Sequence, residues 1–287
     1  ADATEPSKTP IQKSIYYILN LKKMGFKKDI ILGAIAGDVI GSVFEHSFSI
    51  PKDFELFSLK SKFTDDTVLT IAVLDCLLND NTLNFEKPLK SYTKKYFNSG
   101  FGPGFENWVL KPSGVKGFSC GNGAAMRISA LGALIDDENI LLKCIKDVTN
   151  TSHNHEESVK GAVAIGLCIF KAKNGFTKQE INEYVTSLGY ELNSDFEAIK
   201  QPYRKYFGNG VEYICQTTVP IAISCFLQTN DYESCIRLAI SSGGDTDTVA
   251  CMAGGIAAAF YVGIPQQIKE ETLKRIPEEF KDILNMI

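Results

Sequence analysis

Residues 63–78 read FTDDTVLTIAVLDCLL. From position 67 onward the run is apolar nearly throughout, and a helix apolar on every side belongs in the interior rather than on a surface. Residues 158–171 (SVKGAVAIGLCIFK), 219–227 (VPIAISCFL) and 248–260 read the same way, and 268–276 is amphipathic at helical spacing. Ile15, Ile18 and Leu19 begin one helical stretch and Ile30, Ile31 and Ala34 another, with Lys-rich, Gly-containing sequence expected to separate them. Gly-rich connectors fall at 99–105, 111–123 and 241–244. No strand ladder with turn signals, internal repeat or low-complexity linker interrupts this pattern. The expected fold is all-α, a single domain with a helical core and functional loops.

The composition supports that reading. The 287 residues are 44% hydrophobic and 22% charged, which excludes a disordered or fibrous chain. Thirty basic against 34 acidic residues leave a net charge of −4, so the nucleic-acid backbone is not an expected partner. No apolar run reaches the ~18–20 residues of a membrane span. The opening ADATEPSKTP lacks the basic-then-apolar layout of a secretory signal and is expected to be a tail to about residue 10. Eight cysteines form no CxxC pair and mostly lie in or beside apolar stretches. They read as buried free thiols of a reducing, cytoplasmic compartment rather than as disulfides or a zinc site. Gly33, Gly37 and Gly41 share one helix face. Each costs about 0.5–1 kcal/mol against Ala, so the stripe calls for a close neighbour or a ligand.

The unusual feature is the position of certain acids. Asp65 and Asp66 lie in FTDDTVLTIAVL, Asp245 and Asp247 in SSGGDTDTVACMAGG, and Asp38 in GAIAGDVIGSVFE. Each sits in sequence otherwise fit for burial, where an isolated carboxylate is strongly unfavourable unless paired or bound to a cation. Lys62 is the only basic residue near any of them in sequence, and one Lys cannot neutralise the set. A single TDDT is most simply a helix N-cap. Two such clusters, each flanked by Thr and each opening an apolar helix, point instead to a hard dication with oxygen ligands: Mg2+, Mn2+ or Ca2+, not Zn2+. Four to five carboxylates exceed the charge of one such ion, so two are expected, bridged by shared Asp residues and able to bind vicinal hydroxyls and activate water. The EF-hand spacing is absent.

Two loops present backbone. Residues 119–127 (SCGNGAAMR) place Gly121 and Gly123 around Asn122, and 99–105 (SGFGPGF) interleave Gly100, Gly102 and Gly104 with Phe101 and Phe105. Such loops are either tight surface turns or cradles that offer N–H groups to phosphates and rings to a base. Neither matches a Walker loop or a Rossmann fingerprint. Of the three histidines, His153 and His155 alternate and so diverge, and His155 reads as solvated or capping. No Ser-His-Asp layout or activated Cys supports covalent catalysis.

Taken together, GAIAGDVIGSVFE (33–45), FTDDT (63–67), GNGAAMR (121–127), TSH (151–153) and SSGGDTDTVACMAGGIAAAF (241–260) resemble the ADP-ribosylglycohydrolase family, in the family's order and across about residues 30–265. The resemblance implies a compact orthogonal helical bundle with two Mg2+ ions, or Mn2+ in their place, at the base of a cleft. It divides the chain into a partly helical N-terminal extension, 1–27, and a catalytic domain, 28–287. By the same resemblance Thr64, Asp65 and Asp66 ligate one metal, and Asp245, Asp247 and Thr248 supply the other ligands, with one Asp bridging. Asp38 supports the site from its helix. Glu45 is the catalytic acid or base, with Asp65 and Asp66 as the neighbouring catalytic carboxylates. Gly100, Phe101, Gly102, Gly104 and Phe105, then Ser119, Cys120, Gly121, Asn122 and Gly123, and His153 wrap the diphosphate, adenosine and distal ribose. Cys120 departs from the pattern, because relatives often carry an aromatic residue there.

The implied reaction is hydrolysis at C1″ through an oxocarbenium-like transition state. The implied partners are ADP-ribose and an ADP-ribosylated protein or small molecule, joined through serine, arginine or O-acetyl linkages. An O-linkage is favoured because the Glu of the serine-type members is kept, and the chain is expected to act as a monomer. Two other readings stay open: a non-catalytic ADP-ribose-binding or structural protein on the same fold, and a two-metal phosphohydrolase releasing AMP. Glu45 lies seven residues after Asp38, so the two share a side if their helix continues.

Overall fold

The computed structural model describes residues 10–47, 49–192, 195, 197–198 and 210–287. The expected N-terminal tail therefore lies outside the described residues, apart from residue 10, which opens the first helix. In chain order the α-helices are α1 (Pro10–Gly41), α2 (Asp65–Asn79), α3 (Glu86–Lys95), α4 (Pro103–Val109), α5 (Ser129–Leu134), α6 (Glu138–Ser152), α7 (Glu156–Lys173), α8 (Lys178–Ser187), α9 (Cys215–Gln228), α10 (Tyr232–Ser241), α11 (Thr246–Phe260), α12 (Gln266–Leu273) and α13 (Glu278–Leu284). Among the described residues there is no strand, and one isolated bridge joins Gly121 to Ile214. The chain is all-α, as expected.

The interior is built around α11, which is buried from Thr246 to Ala259. The C-terminal part of α1 packs along it, and α2, α7, α9 and α10 surround the pair. The glycine stripe explains how close α1 comes: a β-carbon at Gly37 would overlap the Ala250 carbonyl, and one at Gly41 would stand 2.6 Å from the Asp247 Cα. Backbone therefore meets backbone, and the helix-propensity cost of these glycines is offset by dispersion contact along the crossing.

One expectation fails. The two N-terminal stretches are a single helix, Pro10–Gly41. Lys is a good helix former, and the lone Gly25 costs about 1 kcal/mol. Ending a helix and nucleating another is costlier than carrying one glycine through. Where the chain does start helices it uses local caps. Asp137 accepts from the Ile140 N–H at 2.9 Å, Thr177 and Glu180 form a capping box, and His155 accepts from the Glu157 N–H at 3.2 Å, so its capping role is the one found. All eight cysteines are free, seven of them buried, and burial pushes the Cys215 and Cys235 thiols up to about 12, which makes them inert packing groups.

The two glycines of α1 should answer oppositely to the same substitution. Gly25→Ala, with nothing within 4 Å of the added methyl, should leave Tm unchanged or raise it slightly. Gly37→Ala should lower stability by about 1–3 kcal/mol, because the rigid Ala250 backbone cannot give way. Thermal denaturation of both variants checks this; equal Tm changes would refute the close crossing.

Candidate active site

Both acidic motifs sit at helix starts that converge on the end of α1. Thr64 is the N-cap of α2, with Asp65 and Asp66 in its first turn. Asp245 is the N-cap of α11, with Asp247 in its first turn. Three contacts hold the ends together. Thr246 Oγ1 donates to the Gly41 carbonyl at 2.9 Å, the His46 N–H donates to the Gly244 carbonyl at 2.9 Å, and the Gly244 N–H donates to the Ser47 carbonyl at 3.1 Å. Here the structure corrects the route by which Glu45 arrives. α1 stops at Gly41 and does not carry Glu45 on its face. A turn over residues 42–46, stitched to the loop before α11, brings Glu45 over instead.

Asp38 is the anchor of the α2 start. Its Oδ2 accepts from the Thr64 N–H at 3.0 Å, the Thr67 N–H at 3.1 Å and Thr67 Oγ1, and its Oδ1 accepts from Thr64 Oγ1 at 2.7 Å. Asp66 Oδ2 accepts from Thr248 Oγ1 at 3.1 Å, while its buried Oδ1 has no protein partner. Asp245 makes no cap hydrogen bond; its Oδ2 accepts from Asn122 Nδ2 at 2.6 Å. Carboxylate oxygens of Asp38, Asp66 and Asp247 lie within 4.8 Å of one another, as do those of Glu45, Asp245 and Asp247. The two groups share Asp247.

Burial raises the pKa of every member, against hydrogen bonds from Thr64 and Thr67 at Asp38 and from Asn122 and Thr248 at Asp245. Neighbouring acids add to it at Glu45, Asp65, Asp66 and Asp247. Asp65 and Asp66 are held well above the carboxylate range by burial and then by Asp38, and Asp247 by burial and then by Asp245 and Asp66. Glu45 is raised by burial and Asp245, against His46 and Lys62. An all-oxygen set, an orphaned buried carboxylate oxygen and two acid groups joined through one residue fit hard divalent cations. The acidic cluster is compatible with a metal site.

Above the acids lies a cleft of about 540 Å³, within the range of small-molecule sites. Glu45, Thr64, Asp65, Asp245, Asp247 and Thr248 line its acidic end. Gly100, Phe101, Gly102, Gly104 and Phe105 form one wall, with the two rings stacked at 5.8 Å and 16°. Ser119, Gly121, Asn122, Gly123 and His153 also line the cleft, and the His153 ring stands beside Phe105 with centroids 6.0 Å apart. Asp66 is buried and lies outside the lining, and Cys120, partly exposed, is not part of it either; its carbonyl accepts from the Cys215 N–H at 3.0 Å. Sequence reasoning gave Tyr213 no role, yet it lines the cleft and its hydroxyl meets His46 Nδ1 at 2.8 Å, while His46 Nε2 is 3.4 Å from Glu45 Oε1. No local pattern around a lone Tyr signals this; only the pairing of Gly121 with Ile214 brings it there. Burial and the Arg127 charge hold His153 well below its usual range.

Comparison with known proteins agrees with this fold. A family model described as ADP-ribosylglycohydrolase matches residues 28–286. The chain is 25% identical over 302 residues to ADP-ribosylhydrolase ARH3 of Xenopus tropicalis, covering 80% of this chain and 85% of that protein. It is 24% identical over 308 residues to ADP-ribosylhydrolase ARH3 of Homo sapiens, covering 80% and 84%. A solved structure of an ADP-ribosylglycohydrolase-related protein complex has the same fold, with a TM-score of 0.72 at 20% identity, over 92% of this chain and 97% of that one. The chain belongs to the ADP-ribosylglycohydrolase family, a family of glycosidic-bond hydrolases.

Proposed function

We propose that this chain is a Mg2+-dependent hydrolase that cleaves the C1″ glycosidic bond of ADP-ribosylated protein side chains or O-acetyl-ADP-ribose and releases ADP-ribose. The observation that carries the reading is the pair of acid groups sharing Asp247, with Glu45 at their edge and the cleft above. Thr64, Asp65, Asp66, Asp245, Asp247 and Thr248 would hold two Mg2+ ions, or Mn2+ in their place, over a catalytic domain of residues 28–287 with 1–27 as an extension. Cations bound there supply Lewis-acid polarisation and a fixed hold on the vicinal hydroxyls of the distal ribose. The chain's own residues do the rest. Glu45, half-buried and beside Asp245, has a raised pKa and can carry the proton that passes to the leaving group or comes from water. Asp65 and Asp66 set the negative field that favours an oxocarbenium-like centre.

Gly100, Phe101, Gly102, Gly104 and Phe105, together with Ser119, Gly121, Asn122, Gly123 and His153, orient the diphosphate, adenosine and distal ribose. Cys120, outside the lining, contributes its carbonyl to holding the 119–123 loop in place. The O-linkage is the favoured acceptor, since the Glu of the serine-type members is retained at Glu45. The free, mostly buried cysteines suit a cytoplasmic protein.

Turnover of Ser-, Arg- and O-acetyl-linked ADP-ribose with Mg2+ should release intact ADP-ribose and stop in EDTA. Release of AMP would make the chain a phosphohydrolase, and tight ADP-ribose binding without turnover would make it a binding protein. Glu45→Gln should lower kcat roughly 10²–10⁴-fold with ADP-ribose affinity near parental. Asp247→Asn should lose activity by orders of magnitude while staying folded; parental kcat in either variant removes that residue from the site. Calorimetry should find AMP binding far more weakly than ADP-ribose, because AMP lacks the distal ribose.

A pH prediction follows from the raised carboxyls. Their folded pKa values exceed the unfolded ones, so protonation stabilises the metal-free fold below the unfolded pKa, and that advantage is lost as pH rises through the folded values. Mg2+ should therefore raise Tm more at about pH 7.5 than at about pH 5, where protons compete for the same oxygens. A Tm gain independent of pH would exclude these carboxyls as ligands.

A further inference from the structure

Arg127 is a charged residue with no counter-ion among the described residues. It is fully buried, and among the described residues no carboxylate pairs with it. Its Nε and Nη1 have no protein partner. Burial lowers its pKa only to about 9, so the guanidinium stays charged at neutral pH. A buried cation left so bare is costly, and packing alone would be better served by an apolar residue of the same volume. Its surroundings show where the charge is directed. The guanidinium stands 5.7 Å from the centroid of the Phe105 ring, and Nη2 donates to Ser152 Oγ at 2.8 Å. Ser152 Oγ and Arg127 Nη2 meet His153 Nδ1 at 2.8 and 3.4 Å. Phe105 and His153 both line the cleft, so Arg127 lies one layer behind its wall.

The direction of these hydrogen bonds is fixed by chemistry. Arg has donors only. Ser152 Oγ must accept from it and still has its own proton to offer His153, and the contact that sets the direction is the second Arg127 N–H, which faces the same ring nitrogen at 3.4 Å. Nδ1 can then only accept, and a neutral imidazole that accepts at Nδ1 carries its proton on Nε2. Nε2 is the atom on the cleft side: β-carbons at Gly121 and Gly123 would come within 3.6 and 3.2 Å of it, so the glycines of that loop leave room for the ring edge.

We propose that Arg127 and Ser152 are a positioning pair that locks His153 as the Nε2–H tautomer, so that His153 presents one fixed donor to an acceptor oxygen of the bound ligand, an anionic phosphoryl oxygen of a nucleoside diphosphate sugar. The identity of that ligand rests on the function proposed above; the locking of the ring does not. Arg127 touches no substrate in this scheme. It acts through His153, and its charge also adds attraction for an anion lying across the same wall.

With three histidines in the chain, long-range ¹H–¹⁵N correlation resolves each ring. In the ligand-free parent at neutral pH, His153 should show protonated Nε2 and bare Nδ1. Arg127→Met lets the Ser152 hydroxyl accept from Nδ1–H, so the ring should become a mixture of tautomers. The KM for an ADP-ribosyl substrate should then rise about tenfold, the worth of one hydrogen bond to a charged group, with kcat little changed. Ser152→Ala, which removes a single hydroxyl, should raise KM in the same way. It decides the matter if Arg127→Met does not fold. The proposal is overturned if parental His153 carries its proton on Nδ1 or on both nitrogens, or if folded variants keep both tautomer and KM. Failure of the parent to bind ADP-ribose in calorimetry would instead refute the functional reading, which the ligand-free spectrum does not touch.

Discussion

Backbone contact between α1 and α11 is the constraint on which the rest depends. Gly37 and Gly41 let the α1 chain lie against Ala250, Thr246 and Asp247 with no side chain between. That distance brings Asp38 near Asp247 although 209 positions separate them in sequence. A bulkier stripe would separate the helices by the thickness of a side chain and pull the two acid groups apart. The glycines that look unfavourable in a helix are therefore what allows the acids to meet.

Bringing acids together raises the free energy of the metal-free fold, and the structure shows how the cost is contained. Asp38 is satisfied locally: four donors from Thr64 and Thr67 turn it into the anchor of α2. Asp245 is tied to the 119–123 loop through Asn122, so the loop that walls the cleft is registered against the acids beneath it. Asp65, Asp66 and Asp247 lie in the first turns of helices, where the backbone N–H groups and the dipole favour negative charge by about 0.3–1 kcal/mol each. These terms are too small to balance several buried charges, and the raised pKa values register the difference. The remainder falls to protons or cations.

Much of this was legible in the sequence because short-range pattern and long-range contact coincide there. The all-apolar run after Asp66 requires a buried helix, and its acidic N-terminus requires either a cap or a ligand. Thr64 in fact caps while Asp66 Oδ1 remains unpaired, so the cap reading is met by Thr64 and the ligand reading stays open at Asp66. The continuity of α1 was not legible, because a lone Gly among lysines looks like a break and only tertiary packing shows that the helix runs through. The path of Glu45 was misread for the opposite reason. Helical spacing from Asp38 suggested a shared face, whereas two backbone hydrogen bonds to the loop before α11 turn the chain after Gly41. Tyr213 was invisible, since nothing in VEYIC marks a residue that reaches the cleft through a bridge to Gly121.

The cleft is thus asymmetric in charge. Among the described residues, carboxylates at its floor exceed their basic partners, and behind the lining a guanidinium has no acid beside it. Left alone, each is unfavourable in a low-dielectric interior, and they do not neutralise one another, for no ion pair joins Arg127 to the cluster among the described residues. On the function proposed above, a ligand that brings hydroxyls to the acids, through cations, and negative charge to His153 would relieve both at once. A neutral sugar would answer only the first demand and a bare phosphate only the second. A molecule that carries both groups would, on that proposed function, answer both demands.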